Sequence, residues 1–194
     1  EFYALMGRMR FISRWGLMRN TIPENDMEHA LQTAMFAHAI AIIGVERYHK
    51  VYNPEHIMAL ALYHDGCEVI TGDLPTPVKY RSTEMKNAYK KIEQEAQSEL
   101  LAMLPEELRT VMTPALYAAD LTASEKKLLK AADRLSAVIK CVIEAGSGNG
   151  EFASAYDQQM EALHAMECPE AEWFIKTMLP AYTRTLDELT RREE

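Results

Sequence analysis

DMEHALQTAMFAHAIAI, residues 26–42, is the stretch on which the reading of this chain turns. Met27, Leu31, Ala34, Met35, Ala37, Ala41 and Ile42 recur at the three- and four-residue spacing of one side of an α-helix. No glycine or proline interrupts the run, and Asp26 stands where a capping residue is expected. A segment of this kind must bury its apolar side against similar segments, so the first expectation is an all-α fold.

Composition points the same way. The chain has 194 residues, enough for one globular domain, and only 8 glycines and 8 prolines. Hydrophobic residues make up 48% and charged residues 26%, which excludes a disordered or fibrous chain. A net charge of −8 argues against a general nucleic-acid binder but not against a small anionic ligand. No apolar run approaches the roughly 18 residues of a membrane span, and Glu1-Phe2-Tyr3 lacks the features of a secretory signal. Cys67, Cys141 and Cys168 form no Cys-x-x-Cys pair, as expected of a reduced, cytoplasmic protein.

Working outward, Phe2 to Arg14 forms an amphipathic segment ended by Trp15-Gly16, and a loop with Pro23 leads to Asn25. Asn53-Pro54 opens a helix expected to continue to Thr71-Gly72. The two prolines of GDLPTPV (72–78) forbid a continued helix there. Ser82 to Leu104 is a long polar helix, Pro105 to Met112 a short one, and Thr122 to Val142 a third that carries Asp133. Gly146 to Gly150 is the clearest loop, and helices over about 151–167 and 169–190 complete the chain.

The chemistry sits in polar residues that interrupt apolar helices. His64 and Asp65 are adjacent, with Glu68 four residues after His64, all beside the apolar run Met58 to Leu62. Burying an imidazole beside a carboxylate is costly unless both find partners, and a divalent metal is one such partner. With His29 and Asp133 the set offers two imidazoles and two carboxylates, a mix suited to Mn, Fe, Co, Ni or Zn. Four scattered residues are a weak signal by themselves. A hydrogen-bonded His64-Asp65 pair with no metal fits the spacing as well.

Longer motifs carry a resemblance. Arg14-Trp15, Leu17-Met18-Arg19-Asn20, Glu28-His29, Leu31-Gln32, Tyr63-His64-Asp65, Glu68-Val69, TGDLPTPVKY (71–80), Lys130-Ala131-Ala132-Asp133, Gly148-Asn149 and Glu151-Phe152 run in this order. Together they resemble the HD superfamily of metal-dependent phosphohydrolases, and within it the bacterial 5′-deoxynucleotidases of the YfbR type. The resemblance implies a single HD domain over 1–194 with a helical bundle-like core, a homodimer, and hydrolysis of 2′-deoxynucleoside 5′-monophosphates. It places the four metal ligands on His29, His64, Asp65 and Asp133, a catalytic carboxylate on Glu68, a loop acid on Asp73, and a sugar-discriminating pair on Arg14 and Trp15. One divalent ion per chain is implied, with Co, Mn, Zn, Ni, Fe and Cu all open. HD enzymes with two metals generally draw extra histidines from the interval after the His-Asp pair. None lies between Asp65 and Asp133 here, which favours a mononuclear site.

In this reading Glu68 and Asp73 serve as acid and base in an order the sequence leaves open. Arg14 offers directional donors to sugar or phosphate, Trp15 walls off a 2′-hydroxyl, and Lys79 contacts phosphate. Basic side chains cluster at Arg8, Arg10, Arg14 and Arg19 and again at Lys79, Arg81, Lys86, Lys90 and Lys91, and their convergence would steer a small phosphate ester inward. The rival enzyme reading is a deoxynucleoside triphosphate triphosphohydrolase on the same fold.

Overall fold

The computed structural model describes residues 1–118 and 121–191. Every regular element among them is helical, so the all-α expectation holds. The order is α1 (Phe2–Met6), α2 (Asp26–Tyr48), α3 (Pro54–Tyr63), α4 (Glu68–Thr71), α5 (Thr76–Lys79) and α6 (Thr83–Ala102). Then follow α7 (Glu106–Tyr117), α8 (Ala123–Gly146), α9 (Ala153–His164), α10 (Pro169–Thr177) and α11 (Leu186–Thr190), with 3-10 turns at Gly7–Phe11, Gly150–Phe152 and Leu179–Thr183.

Helix α2 is the central rod. Ala34, Ala37, Ile40 and Ala41 from α2 meet Ile57, Leu60 and Ala61 of α3 and Leu128, Leu135, Val138 and Ile139 of α8, with Leu163, Ala171 and Phe174 closing the far side. A second cluster gathers Phe2, Met6 and Met9 with Cys67, Leu100, Leu104 and Leu116. It packs the N-terminal segment, α6 and α7 beneath the start of α2, where Ala30 belongs to it.

Several expectations are corrected. Asn25, not Asp26, caps α2: its side chain accepts from Met27 and Glu28 N at 3.1 Å, and the Glu28 carboxylate accepts from Asn25 N at 3.3 Å. This reciprocal box shifts the helix start by one residue and leaves Asp26 in the first turn, fully buried. Leu31, Met35 and Ile42 are exposed (57%, 62% and 40%), because the core takes the side of α2 that carries Ala34, Ala37, Ile40 and Ala41. The helix from Asn53 stops at Tyr63, and α4 is a separate turn. Residues 169–190 form three pieces: Pro180 has no N–H to continue the first, and Thr185 caps a separate start for α11. The double-proline segment contains the single turn α5, with Pro77 in its opening residues where a missing N–H is harmless.

Candidate active site

The site forms where the start of α2, the α3–α4 turn and the middle of α8 meet. The turn is made by Gly66, whose N–H donates to Tyr63 O at 2.9 Å. A Cβ there would lie 3.0 Å from that carbonyl and 3.3 Å from the Met6 sulfur, so a side chain fits only if these neighbours give by a few tenths of an ångström. This break in the helix turns His64 and Asp65 toward α2 and α8.

His29 Nε2 lies 3.2 Å from Asp133 Oδ1 and 3.6 Å from Asp65 Oδ2. His64 Nε2 lies 3.0 Å from Asp65 Oδ2 and 4.0 Å from Asp133 Oδ1. The ligand atoms of His29, His64 and Asp65 lie within 4.8 Å of one another and form a group able to hold a metal ion, and Asp133 stands beside it against both imidazoles. The ring tautomers agree with that use. His64 Nδ1 donates to Ala61 O at 2.7 Å, which leaves Nε2 as a lone pair, buried and without a hydrogen-bond partner. Ser136 gives its hydroxyl proton to Gln32 Oε1 at 2.7 Å and is 3.1 Å from His29 Nδ1, so it accepts from that nitrogen. In the neutral ring His29 Nε2 is then the lone pair facing Asp65 and Asp133, with the Thr33 hydroxyl 3.5 Å away. Outer partners of this sort orient metal-binding imidazoles. The donor set, two imidazoles and two carboxylates, suits a divalent transition ion.

Beside this point lies a second acidic group, Asp26, Glu68 and Asp73, with carboxylate oxygens within 4.8 Å of one another. Gly72, at φ +72°, lets the chain leave α4 so that Asp73 follows at the site. Glu68 is buried, and burial together with Asp65, Asp26 and Asp73 pushes its pKa up to about 11. Burial raises Asp26 to about 6, against the opposing hydrogen bond with Glu68 and the charge of Arg14. Asp73 is also raised by burial, with Arg14 and Lys79 opposing. Asp65 and Asp133 behave in the opposite sense. Burial disfavours their charge, but His64, His29 and Arg14 hold Asp65 below the usual carboxylate range, and Lys130 and His29 do so for Asp133. His29 resists burial through Asp133 and Glu24 and is raised to about 9.

Arg14 Nη1 bridges the two groups, 3.3 Å from Asp65 and 3.5 Å from Asp26. Trp15 holds a left-handed backbone, φ +58°, an uncommon state for a bulky residue. Its indole N–H donates to Glu24 Oε2 at 2.6 Å and its ring packs edge-on against Phe152 at 5.3 Å. Arg14, Trp15, Asp65, Glu68, Asp73, Lys79 and Asp133 all line one cleft of about 360 Å³.

Of the two basic clusters, only Arg14 and Lys79 are in that lining; Lys130 and Arg134 of α8 are the other cations there. Lys79 is paired with Glu93 at 2.7 Å and lies over the Tyr89 ring, so its charge is shared with the cleft wall. Sequence reasoning missed Asp26, Glu24, Gln32, Ser136, Lys130 and Arg134. For Ser136 and Gln32 the available signal was a polar residue on the buried side of an apolar helix.

The family described as 5′-deoxynucleotidase YfbR-like matches residues 1–182. This chain belongs to that family. The 5′-deoxynucleotidase of Cronobacter sakazakii is 44% identical over 191 residues, covering 98% of this chain and 96% of that protein. A 5′-deoxynucleotidase of Vibrio parahaemolyticus is 44% identical over 190 residues, covering 98% of each. Among solved structures, an HD-domain phosphohydrolase from Listeria innocua superposes with a TM-score of 0.80 at 20% identity, over 93% of this chain and 87% of its own. The cyanophage S-2L HD phosphohydrolase DatZ, bound to dA and one catalytic Zn²⁺ ion, does so at 0.61 and 24% identity, over 91% and 95%. These two share the fold. The resemblance to YfbR-type enzymes is borne out, and the triphosphohydrolase alternative is not favoured by the names of these relatives. No helix among the described residues is long and apolar enough to cross a membrane.

Proposed function

We propose that this protein hydrolyses 2′-deoxynucleoside 5′-monophosphates to deoxynucleosides and phosphate, as one HD domain over residues 1–194. The observation that carries the reading is one cleft lined by Asp65 and Asp133, which contact His29 and His64, by the acids Glu68 and Asp73, and by the Arg14-Trp15 pair. It occurs in a chain 44% identical to named 5′-deoxynucleotidases over 98% of its length.

In this reading His29, His64, Asp65 and Asp133 hold one divalent ion per chain, drawn from Co, Mn, Zn, Ni, Fe or Cu. When bound, such an ion supplies Lewis acidity and neutralises charge on the phosphoryl group. The rest is work for the side chains. Lys130, Arg134 and Lys79 draw the phosphate into the cleft, and Arg14 orients it through a planar fork of donors. Glu68, whose proton is held most tightly, carries the proton to the leaving O5′. Asp73, raised by burial with the charges of Arg14 and Lys79 opposing, accepts a proton from the attacking water. Trp15 packs against C2′ and leaves a 2′-hydroxyl neither space nor partner.

The partners follow the same reading: a deoxynucleoside monophosphate, no nucleic acid and no membrane. The exposed stripe Leu31, Met35 and Ile42 on α2 supports a homodimer, since burying it needs a second apolar surface. A cytoplasmic setting fits three free, buried thiols.

A phosphate-release panel over dAMP, AMP and dATP with defined divalent ions tests the proposal. Metal-dependent release of inorganic phosphate from dAMP, with AMP slower, is the expected result. Release of triphosphate from dATP, or equal rates without added metal, overturns it.

A further inference from the structure

The loop at the end of α8, Ser147 to Asn149, is far from the acids and histidines in sequence, yet it ties down the segment that carries Arg14 and Trp15. Glu144, fully buried, accepts from Thr21 N at 2.9 Å, Ile22 N at 3.0 Å, Asn149 Nδ2 at 2.8 Å and the ammonium of Lys140. Lys140 in turn donates to Ile22 O. Asn149 Nδ2 also donates to Arg19 O at 2.7 Å, and Glu151 accepts from Arg19 N at 3.0 Å.

From these anchors the hold reaches Trp15 along two lines. Asn20 Nδ2 donates to Trp15 O at 3.3 Å and to Met18 O at 3.0 Å, and the indole packs on Phe152, whose ring lies beneath Lys140 Nζ at 5.2 Å. A tryptophan at φ +58° persists only where its surroundings over-determine it. A charged pair buried this deeply, at i and i+4 on α8, costs desolvation that generic packing would avoid.

We infer that Glu144, with Lys140 and Asn149, is a positioning residue for substrate selection: it clamps the 16–25 loop so that Trp15 stands rigid against the sugar. This rests on the deoxynucleotidase reading above. The clamp touches no ligand atom and acts only through the loop, so loosening it loses sugar discrimination before it loses chemistry.

Asn149→Asp is the test, because it keeps the oxygen that accepts from Glu151 N and replaces the donor to Arg19 O and Glu144 by an acceptor. Amide hydrogen exchange over residues 18–24 is expected to quicken about tenfold, the scale of one lost charged hydrogen bond. The ratio of kcat/KM for dAMP over AMP is expected to fall about fivefold, mainly through KM for dAMP, with metal content per chain unchanged. Glu144→Gln is expected to do the same more strongly; should it fail to fold, Asn149→Asp still decides. Unchanged exchange, or faster exchange with an unchanged dAMP-to-AMP ratio, overturns the clamp alone. A wild-type protein that treats dAMP and AMP alike overturns the deoxynucleotidase reading itself, and the clamp with it.

Discussion

His29 Nδ1 stands 3.1 Å from the Ser136 hydroxyl, which is already committed as a donor to Gln32. In the neutral, metal-binding ring the proton is therefore placed on Nδ1, and Nε2 is turned toward Asp65 and Asp133. Ser136→Ala removes the acceptor and lets the ring rotate or change tautomer. Metal affinity, measured by competition with a chromogenic chelator, is expected to fall about tenfold or more. An unchanged affinity would show that Glu24, 3.7 Å from the same nitrogen, suffices.

Glu68→Gln keeps the shape of the buried side chain but cannot exchange a proton. Turnover of dAMP is expected to drop by roughly 10²- to 10⁴-fold, the usual weight of a proton-transfer group, while metal content stays at wild-type level. Activity near wild type in a metal-replete Glu68→Gln protein would remove Glu68 from the chemistry.

Trp15→Ala opens the wall at the sugar. A hydrophobic wall rejects an added hydroxyl by about 100-fold at most, so the dAMP-to-AMP ratio is expected to approach unity by a gain for AMP as well as a loss for dAMP. Steady-state kinetics on the two nucleotides measure this directly.

Without metal, stability depends on pH in a defined direction. Glu68 is raised from its ordinary 4.5 to about 11 and His29 from 6.5 to about 9. Raised groups contribute stability that is complete below the unfolded value and lost as pH climbs toward the folded one. The metal-free protein is thus expected to melt progressively lower from about pH 5 to pH 9, by about 5 °C or more. Glu68→Gln should flatten the part that begins near 4.5. Asp65 and Asp133, both lowered, act oppositely and only in acid, losing their contribution as pH falls below the ordinary 3.8.

Met35→Glu places a charge in the exposed α2 stripe without touching the cleft. Sedimentation is expected to show a monomer for this variant and a dimer for wild type, with metal content retained. A dimer that survives the change would put the contact elsewhere.

Much of the fold could be read from spacing alone. The three- and four-residue recurrence over 26–42, the Asn53-Pro54 and Ser82 starts, and the Thr122 to Glu125 signal all mark real helices, because capping and propensity are local. What spacing could not show was which side of α2 faces the core. That helix is apolar nearly all round, and only its neighbours select the alanine side over Leu31, Met35 and Ile42.

The site divides in the same way. The residues that stand out as polar interruptions of apolar helices, His29, His64, Asp65 and Asp133, are legible one by one. Longer motifs add Arg14, Trp15, Glu68 and Asp73. Their meeting depends on the break at Gly66, on a capping box that turns Asp26 inward, and on the stacking of α8 against α2. Asp26 and Glu144 carry no local mark of their role, and Ser136 only that of a polar residue in an apolar helix. Each acquires its role from a partner distant in the chain, Arg14, Thr21 and His29 respectively, since burial and pairing are properties of the packed interior and not of any window of sequence.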